Sequence, residues 1–479
     1  MVVGGAVIDM LKGNTTQSDW DLEVYGLSMD ELSNLLSNLD PVLCGKSFGV
    51  LRVTHMGVEI DLSLPRRDNS IGVGHKDFSI ETDPNMDHVD AASRRDFTIN
   101  SMAYDLDEME LLDPFGGLGD LEYGVLRATS PDTFKDDPLR VLRAMQILAR
   151  KMRVADQALI QMARDMFLGF DSLPKERVMG EWEKLMLKSD RPSVGLKFLL
   201  DTGWLNHFPE LVEFVRWSGW EYTENISLVK LGDMPKWSWD TGCPQNPEWH
   251  PEGNVWDHTL LVLDAAAKQR DEVPSEWRLA FMFAALLHDV AKPATTKLPE
   301  CTAHGHEAAG GPLARRFMSR LTNDSTLIDR VVALVENHLQ PHFLKDARPS
   351  RWKLLQEKVG RLDVLGHLTI ADWCGRPGRS PEDKRNVGTT AMCFHWHENM
   401  GEDGDKVVPV VTGRDLIERG CKPGASFKPA LQAALDAQLD GEESREVLLD
   451  IAFSTAIGFV IDEQEREEIS SQLLIKEDN

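Results

Sequence analysis

Arg94-Arg95-Asp96-Phe97-Thr98-Ile99-Asn100 stands between an early Asp19-Trp20-Asp21 pair and a later Asp136-Asp137-Pro138-Leu139-Arg140 run. From Ala91 to Tyr104, Phe97, Ile99, Met102 and Ala103 recur at helical spacing, which predicts a helix with Arg94, Arg95, Asp96 and Asn100 near one polar edge. Guanidinium forks grip phosphate oxygens bidentately, and an Asp or Asn beside them suits a ribose hydroxyl. Taken alone, Arg-Arg-Asp is equally a surface ion-pair cluster of small worth. Its neighbours on either side favour the first alternative.

Upstream, Asp19 and Asp21 alternate within an apolar frame of Trp20, Leu22 and Val24, so a strand would point both carboxylates to one face. A second alternating stretch, Val58 to Leu64, carries Asp61 and offers a third carboxylate from a neighbouring strand. Hard oxygen ligands so placed suit Mg²⁺, which binds through one or two carboxylates plus substrate phosphates. Two solvated acids at a strand end would give the same Asp-x-Asp. Gly4-Gly5, however, leads into a helical pattern just ahead of it, and a glycine pair lets backbone N–H groups approach phosphate oxygens at a helix start.

Downstream, Phe134 to Arg153 reads as one amphipathic helix with Leu139, Val141, Leu142, Met145, Ile147 and Leu148 as its apolar stripe. Asp137 and Arg140, three apart, share a face. One acceptor beside one donor fork matches the Watson–Crick edge of cytosine or adenine and mismatches uracil and guanine. An ordinary helical salt bridge is the plainer alternative.

The series Gly-Gly-Ala-Val-x-Asp, Asp-Trp-Asp-Leu-Glu-Val-Tyr-Gly, Arg-Arg-Asp-Phe-Thr-Ile-Asn-Ser-Met-Ala, Asp113-Pro-Phe-Gly-Gly117-Leu-Gly-Asp120-Leu, Asp-Asp-Pro-Leu-Arg-Val-Leu-Arg and Lys175-Glu-Arg-Val resembles the bacterial (class II) CCA-adding tRNA nucleotidyltransferases and their poly(A) polymerase relatives. The resemblance covers roughly residues 1 to 200. It implies an α+β chain, with a small mixed or antiparallel-sheet head, then an all-α neck and body. It implies addition of C and A to tRNA 3′ ends from CTP and ATP with Mg²⁺, without a nucleic-acid template. By the same resemblance Asp19 and Asp21 hold metal with Asp61 as third carboxylate, while Gly4, Gly5, Arg94, Arg95, Asp96, Asn100 and Arg143 bind sugar and phosphates. Asp137 and Arg140 read the base, and Asp113 to Asp120 form a flexible hinge.

Three departures from the family pattern stand out. Ile8 replaces the usual Arg, so one phosphate contact is missing or supplied by a lysine such as Lys12; Asp136 replaces a Glu; and only Met1-Val2-Val3 precede Gly4, which implies a weakened sheet edge. CC-adding, A-adding and poly(A)-synthesising relatives share the base-reading pair, so the number of additions stays open.

A second constellation begins at His250-Pro-Glu-Gly-Asn-Val-Trp-Asp257-His258. An apolar helix from Leu279 to Leu287 runs into His288-Asp289, and His304, His306, His338 and Asp372 follow at wide spacing. Imidazoles and carboxylates from separate helices can enclose divalent ions and activate a bound water. Isolated histidines on an apolar helix are more often hydrogen-bonded core residues. Leu-Leu-His-Asp-Val-Ala-Lys-Pro, with His-Gly-His-Glu and Ala371-Asp372-Trp373, resembles the metal-dependent HD phosphohydrolase domain. That implies His258, His288, Asp289 and Asp372 as ligands of a second divalent metal. It leaves His306 and His338 for a further metal or a phosphate contact, and Lys292 for a phosphate. A metal phosphohydrolase whose head only binds nucleotide is the alternative from another class.

The remaining signals bound the chain. Its 479 residues are too many for one core and 42% hydrophobic content is enough for several. No apolar run approaches the ~18–20 residues of a membrane span and no signal peptide opens it, so no membrane partner is expected. Six scattered cysteines without Cys-x-x-Cys indicate neither zinc knuckle nor disulfide framework, and a cytoplasmic setting fits. A net charge of −26 argues against a generic polyanion binder. Basic residues nevertheless gather at Arg140 to Arg153, at Lys175 to Lys188 and at Arg348, Arg351 and Lys353, where they could line a restricted tRNA face. The expected organisation is a head over 1–125, a helical neck over 126–200, a Trp-rich connector over 201–248, an HD region over 249–400 and a C-terminal helical segment over 401–479. Trp204, Trp217, Trp220, Trp237, Trp239 and Trp249 of the connector read as core packing under a loop, with base stacking as the alternative.

Overall fold

The computed structural model describes residues 1–13, 20–44, 49–70, 78–217, 242–298, 300–400 and 408–459. Short β-branched and apolar runs in the first 112 residues form nine strands: β1 (Val2–Val3), β2 (Trp20–Glu23), β3 (Val42–Cys44), β4 (Val50–His55), β5 (Val58–Ser63), β6 (Arg66–Ser70), β7 (Phe78–Thr82), β8 (Ala103–Asp105) and β9 (Glu110–Leu112). Seven of them make one sheet in the order β3-β4-β5-β2-β1-β8-β9, while β6 and β7 pair as a separate hairpin.

The register places chemistry on one face and core on the other. Leu51, Leu62 and Leu22 lie directly opposite one another on β4, β5 and β2 and pack with Leu32 of helix Met29–Leu35. One residue along, Arg52, Asp61 and Asp21 form the adjacent cross-strand row, so by the two-residue pleat they point away from that helix. β2 and β5 run parallel; the other pairings of the sheet are antiparallel. Helix Met29–Leu35 starts where it does because Ser28 and Glu31 form a reciprocal capping box. β1 is not an edge, against the expectation from the short start: it pairs with β2 on one side and β8 on the other.

Two predicted helices are interrupted. The Ala91–Tyr104 pattern divides into helix His88–Ser93, an extended Phe97, helix Thr98–Ser101 and strand β8. The cause is local: Asp96 Oδ1 accepts the Phe97 N–H at 2.9 Å, and Phe97 drops its ring into the core instead of continuing the helix. The Phe134–Arg153 pattern is likewise split into Pro131–Phe134 and Leu139–Arg150, with Pro138 preceding the second helix. Asp137 therefore stands ahead of that helix, where its Oδ1 accepts the Leu139 N–H at 3.0 Å.

From residue 139 on the described chain is mainly helical, and one continuous hydrophobic cluster runs from Val2 through the Leu139–Arg150 and Lys175–Lys188 helices to Cys393. Trp182 is its joint, meeting Phe208, Phe283 and Phe317 with ring centroids 5.0, 6.2 and 5.6 Å away. A second small cluster gathers Val411, Leu416, Ala430, Ala434 and Leu448 near the end. No helix among the described residues is long and apolar enough to cross a membrane.

Candidate nucleotide and metal centres

At the head, Gly4 occupies a left-handed conformation with φ 68°, and a Cβ there would sit 3.5 Å from Asp21 Oδ2 and 3.7 Å from Arg95 Nη1. Glycine strand end, carboxylate and guanidinium thus converge on one spot. Asp21 faces Asp61 across β2 and β5 in register. Asp61 itself accepts Arg52 Nε at 2.7 Å and Nη2 at 2.8 Å, a bidentate pair that holds its carboxyl below the ordinary range. Two oxygen-only donors on neighbouring strands fit Mg²⁺ in chemistry; Asp61 would have to share itself with Arg52. Asp19 lies outside the described residues.

Arg94 and Arg95 converge on a residue that motif reading passed over. Glu23 is 2% exposed and takes Arg94 Nη2 at 2.8 Å, with Arg95 Nη2 at 3.4 Å. Burial pushes its pKa up, but the two guanidinium groups outweigh it and the net direction is down. Asp21 and Glu23 alternate along β2, and that signal could have found it. Asp96 is equally buried: Arg143 Nε donates to Oδ2 at 2.6 Å and Asn100 Nδ2 to Oδ1 at 2.9 Å. Arg143 wins over the desolvation of that carboxyl, whose pKa falls.

Asp137 and Arg140 do not form the helical salt bridge. Arg140 sends Nη1 to the Thr133 carbonyl at 2.6 Å and Nη2 to the Arg94 carbonyl at 2.8 Å, while Asp137 Oδ2 accepts Arg177 Nη2 at 2.9 Å. Arg177 belongs to the Lys175-Glu-Arg-Val motif, so that motif braces the acid. Ile8 is 1% exposed, in the core, and Lys12 stands at the C-terminal end of helix Gly5–Leu11, the end away from Gly4. The segment expected as a hinge is tied down: Asp113 accepts the Gly117 and Leu118 N–H groups at 2.6 and 2.9 Å, and Asp120 accepts Thr98 Oγ1 at 2.7 Å.

In the second centre, three histidines show their tautomer by their partners. Nδ1 of His288, His306 and His338 lies 3.0, 2.6 and 2.7 Å from the carbonyls of Ala285, Ala303 and Val335, which only accept. Each Nδ1 therefore carries the hydrogen and each Nε2 faces inward, that of His306 lying 3.2 Å from Asp289 Oδ1. His306 and His338 bring Nε2 within 3.3 Å of each other, and His288 Nε2 lies 3.2 Å from Asp289 Oδ2. Three imidazole nitrogens gathered around one buried carboxylate suit a bound cation. His258, His288 and Asp372 form one group whose ligand atoms lie within 4.8 Å, and Asp289, His306 and His338 form another. Imidazole with carboxylate suits a transition ion over Mg²⁺.

The shell around these ligands is charged. His258 Nδ1 lies 2.6 Å from Glu252 Oε1 and its Nε2 lies 3.0 Å from Asp372 Oδ1. Burial works against Glu252, yet its bonds from His250 and His258 bring it down to about 2. Burial and the neighbouring His288 press His338 down to about 3, so it is neutral and able to ligate. Lys292, expected at a phosphate, instead meets Asp289 Oδ2 at 2.7 Å and Gln245 Oε1 at 2.6 Å. His304 is exposed and away from the cluster.

Comparison with known proteins bears on both centres. A family model described as the poly A polymerase head domain matches residues 1–127, and one described as the HD domain matches residues 255–374. A multifunctional CCA protein of Acinetobacter baylyi is 33% identical, with 82% of this chain and 87% of that protein covered. The chain belongs to the multifunctional CCA protein family. The relative of that name from Halorhodospira halophila is 32% identical over 80% of this chain and 85% of its own. Among solved structures, the Bacillus stearothermophilus CCA-adding enzyme in complex with CTP shares the fold at TM-score 0.59 and 18% identity, covering 98% of this chain and 94% of that one. The Thermotoga maritima CCA-adding enzyme complexed with tRNA gives 0.51 at 18%, covering 95% and 90%.

Family membership does not foretell the whole wiring. Arg52 and Gln245 carry no motif signal, whereas Glu252 lies inside the His250–Thr259 stretch. Of the basic residues expected on a tRNA face, Lys353 bonds the Leu439 carbonyl at 3.1 Å and Arg348 reaches Asp440 at 3.4 Å, docking helix Phe427–Leu439. Trp204 is core, its Nε1 on the Ala163 carbonyl at 2.6 Å; Trp217 bonds the Pro293 carbonyl at 3.0 Å and Trp249 is 46% exposed. Trp220, Trp237 and Trp239 fall outside the described residues.

Proposed function

We infer that this chain adds C and A, from CTP and ATP, to tRNA 3′ ends in the cytoplasm. The observation that carries this is Arg140's double hold on the carbonyls of Thr133 and Arg94, which fixes the base-reading residue beside the arginine motif. A guanidinium has five N–H donors, and two are spent here, so the remainder are free for a ring acceptor while the group cannot swing. Asp137, braced by Arg177, keeps lone pairs for an exocyclic amine. Together they accept cytosine or adenine and leave uracil or guanine with donor facing donor.

Arg94 and Arg95, stacked against Glu23 and next to Gly4, would take the triphosphate, and Asp96 with Asn100 the ribose. Asp21 and Asp61, with Asp19 as a further candidate ligand, would hold Mg²⁺, which would supply activation of the terminal hydroxyl and neutralisation of the departing pyrophosphate. Incubation of purified protein with tRNA ending before CCA and each labelled nucleotide separately tests the assignment. Incorporation of C and A that is lost in Asp21→Ala and kept in His288→Ala supports it; incorporation of no nucleotide removes it.

A second activity, hydrolysis of phosphate esters at the His288-Asp289 centre, is favoured by the three inward Nε2 atoms. His258, His288, Asp289 and Asp372 would hold a divalent transition ion, which would supply activation of water for attack on the ester. The chain's part is to keep Asp289 anionic through Lys292 and to orient the imidazoles through Glu252 and the backbone carbonyls. Phosphate release from a phosphomonoester that disappears in Asp289→Asn tests it.

A further inference from the structure

We propose that Arg52 is a positioning residue for nucleotide transfer: it fixes Asp61 beside Asp21 and, by occupying both of its oxygens, restrains the grip of the head on a divalent ion that comes without nucleotide. The proposal rests on reading Asp19 and Asp21 as Mg²⁺ ligands. Arg52 lies in none of the head's sequence motifs.

The sheet sets the residues in one row. Asp21 on β2 stands opposite Asp61 on β5, and Asp61 stands opposite Arg52 on β4. Strand order β4-β5-β2 puts Arg52 on the side of Asp61 away from Asp21. Arg52 Nε donates to Asp61 Oδ1 at 2.7 Å and Nη2 to Oδ2 at 2.8 Å, so the guanidinium meets the carboxylate edge to edge. Its remaining nitrogen, Nη1, lies 3.8 Å from Glu59 Oε2, two residues along the same strand.

As a stabilising contact this pair counts for little, because the Arg52 side chain is 44% exposed. Its consequence is for the ion. A carboxylate has about four lone-pair sites, and the fork takes one on each oxygen. Asp61 then has no face left on which both oxygens could chelate a cation; a single lone pair of one oxygen is what it offers toward Asp21. The guanidinium also adds a positive charge behind that carboxylate, which opposes a second cation in front of it.

Such restraint suits Mg²⁺ that is held by one or two carboxylates together with substrate phosphates. An ion that arrives on a triphosphate and departs on pyrophosphate is best served by a site that holds it weakly between turnovers. Asp61 meanwhile stays at one orientation, where it can accept a hydrogen bond from the hydroxyl to be extended.

The test titrates Mn²⁺ alone, followed by electron paramagnetic resonance, into the full chain carrying Asp289→Asn, so that every head variant is compared on the same second centre. Arg52→Gln is expected to tighten Mn²⁺ binding about tenfold while lowering kcat for C incorporation, and Arg52→Lys, which keeps the charge and loses the fork, to fall between. With Asp61→Asn present, Arg52→Gln should change neither quantity. Glu59→Gln, on the same arginine, should leave Mn²⁺ affinity within about twofold of the parent. Arg52→Lys carries the test if Arg52→Gln melts early. Mn²⁺ binding that is unchanged or weaker in both Arg52 variants, or a change that persists with Asp61→Asn, overturns the proposal. If Mn²⁺ binding is lost in Asp21→Ala but indifferent to Arg52, the reading of the head stands and the proposal alone falls; if Asp21→Ala has no effect on it, the reading falls and takes the proposal with it.

Discussion

Arg140 Nη2 donates to the main-chain carbonyl of Arg94 at 2.8 Å, joining the Leu139–Arg150 helix to the turn that carries the arginine pair. One guanidinium thus ties the proposed base-reading edge to the proposed triphosphate grip. Replacing it by Lys keeps charge but loses the fork. Arg140→Lys is expected to lose about 1–3 kcal/mol of stability and at least about tenfold in C and A incorporation. Denaturant unfolding and initial rates with each nucleotide check both; wild-type discrimination against UTP in the variant would contradict the role.

Glu23 is the anchor beneath that pair. Removing its charge in Glu23→Gln leaves Arg94 and Arg95 partly buried without their anion, and breaking such a pair from one side costs about 3–5 kcal/mol. Because the folded pKa of Glu23 is lowered, against the upward push of burial, its stabilisation is complete above the unfolded value of about 4.3 and is lost as pH falls through the folded value. Asp96 has the same sign, with Arg143 as its main partner. Acid unfolding should therefore be shallower in the variant than in the wild type, measured by circular dichroism from neutral pH downward.

The strand alternation in the head was legible because one face is core: Leu22, Leu51 and Leu62 line up and force Asp21 and Asp61 onto the other. The order of motifs was legible because each is a local run. What the pattern missed came from side chains that act against periodicity. Asp96 bonding the next N–H and Pro138 ahead of Leu139 each broke a helix that hydrophobic spacing extended across them. Partners distant in sequence, such as Arg52 for Asp61 and Gln245 for Lys292, carry no local signal at all.

His207 offers a pH readout away from both centres. It is sandwiched between Phe167 and Phe170, with centroids 4.2 and 4.1 Å away, and desolvation lowers its pKa to about 4. The unfolded chain takes up this proton near pH 6.5 and the folded chain does not until about 4. Stability is thus full above pH 6.5 and declines as pH falls between those values, with no further change below. In His207→Phe this decline should become shallower in melting curves over that interval, His250 and His338 contributing the rest; an unchanged slope would assign it wholly to those other groups.

The second centre should behave as a stabilising ligand site independent of the head. With the Nε2 atoms of His306 and His338 3.3 Å apart and Asp289 between His288 and Lys292, this buried cluster offers a cation its ligand atoms. A cation binding only the folded chain adds about 2.7 kcal/mol at a hundredfold excess over its Kd. Chelator should lower the melting temperature, a transition ion should restore it better than Mg²⁺, and Asp289→Asn should abolish the difference. Cytidine incorporation, resting on Asp19 and Asp21, should follow Mg²⁺ and be insensitive to Asp289→Asn. Loss of both activities in that one variant would mean that the buried Trp182 joint couples the centres, and that neither can be treated alone.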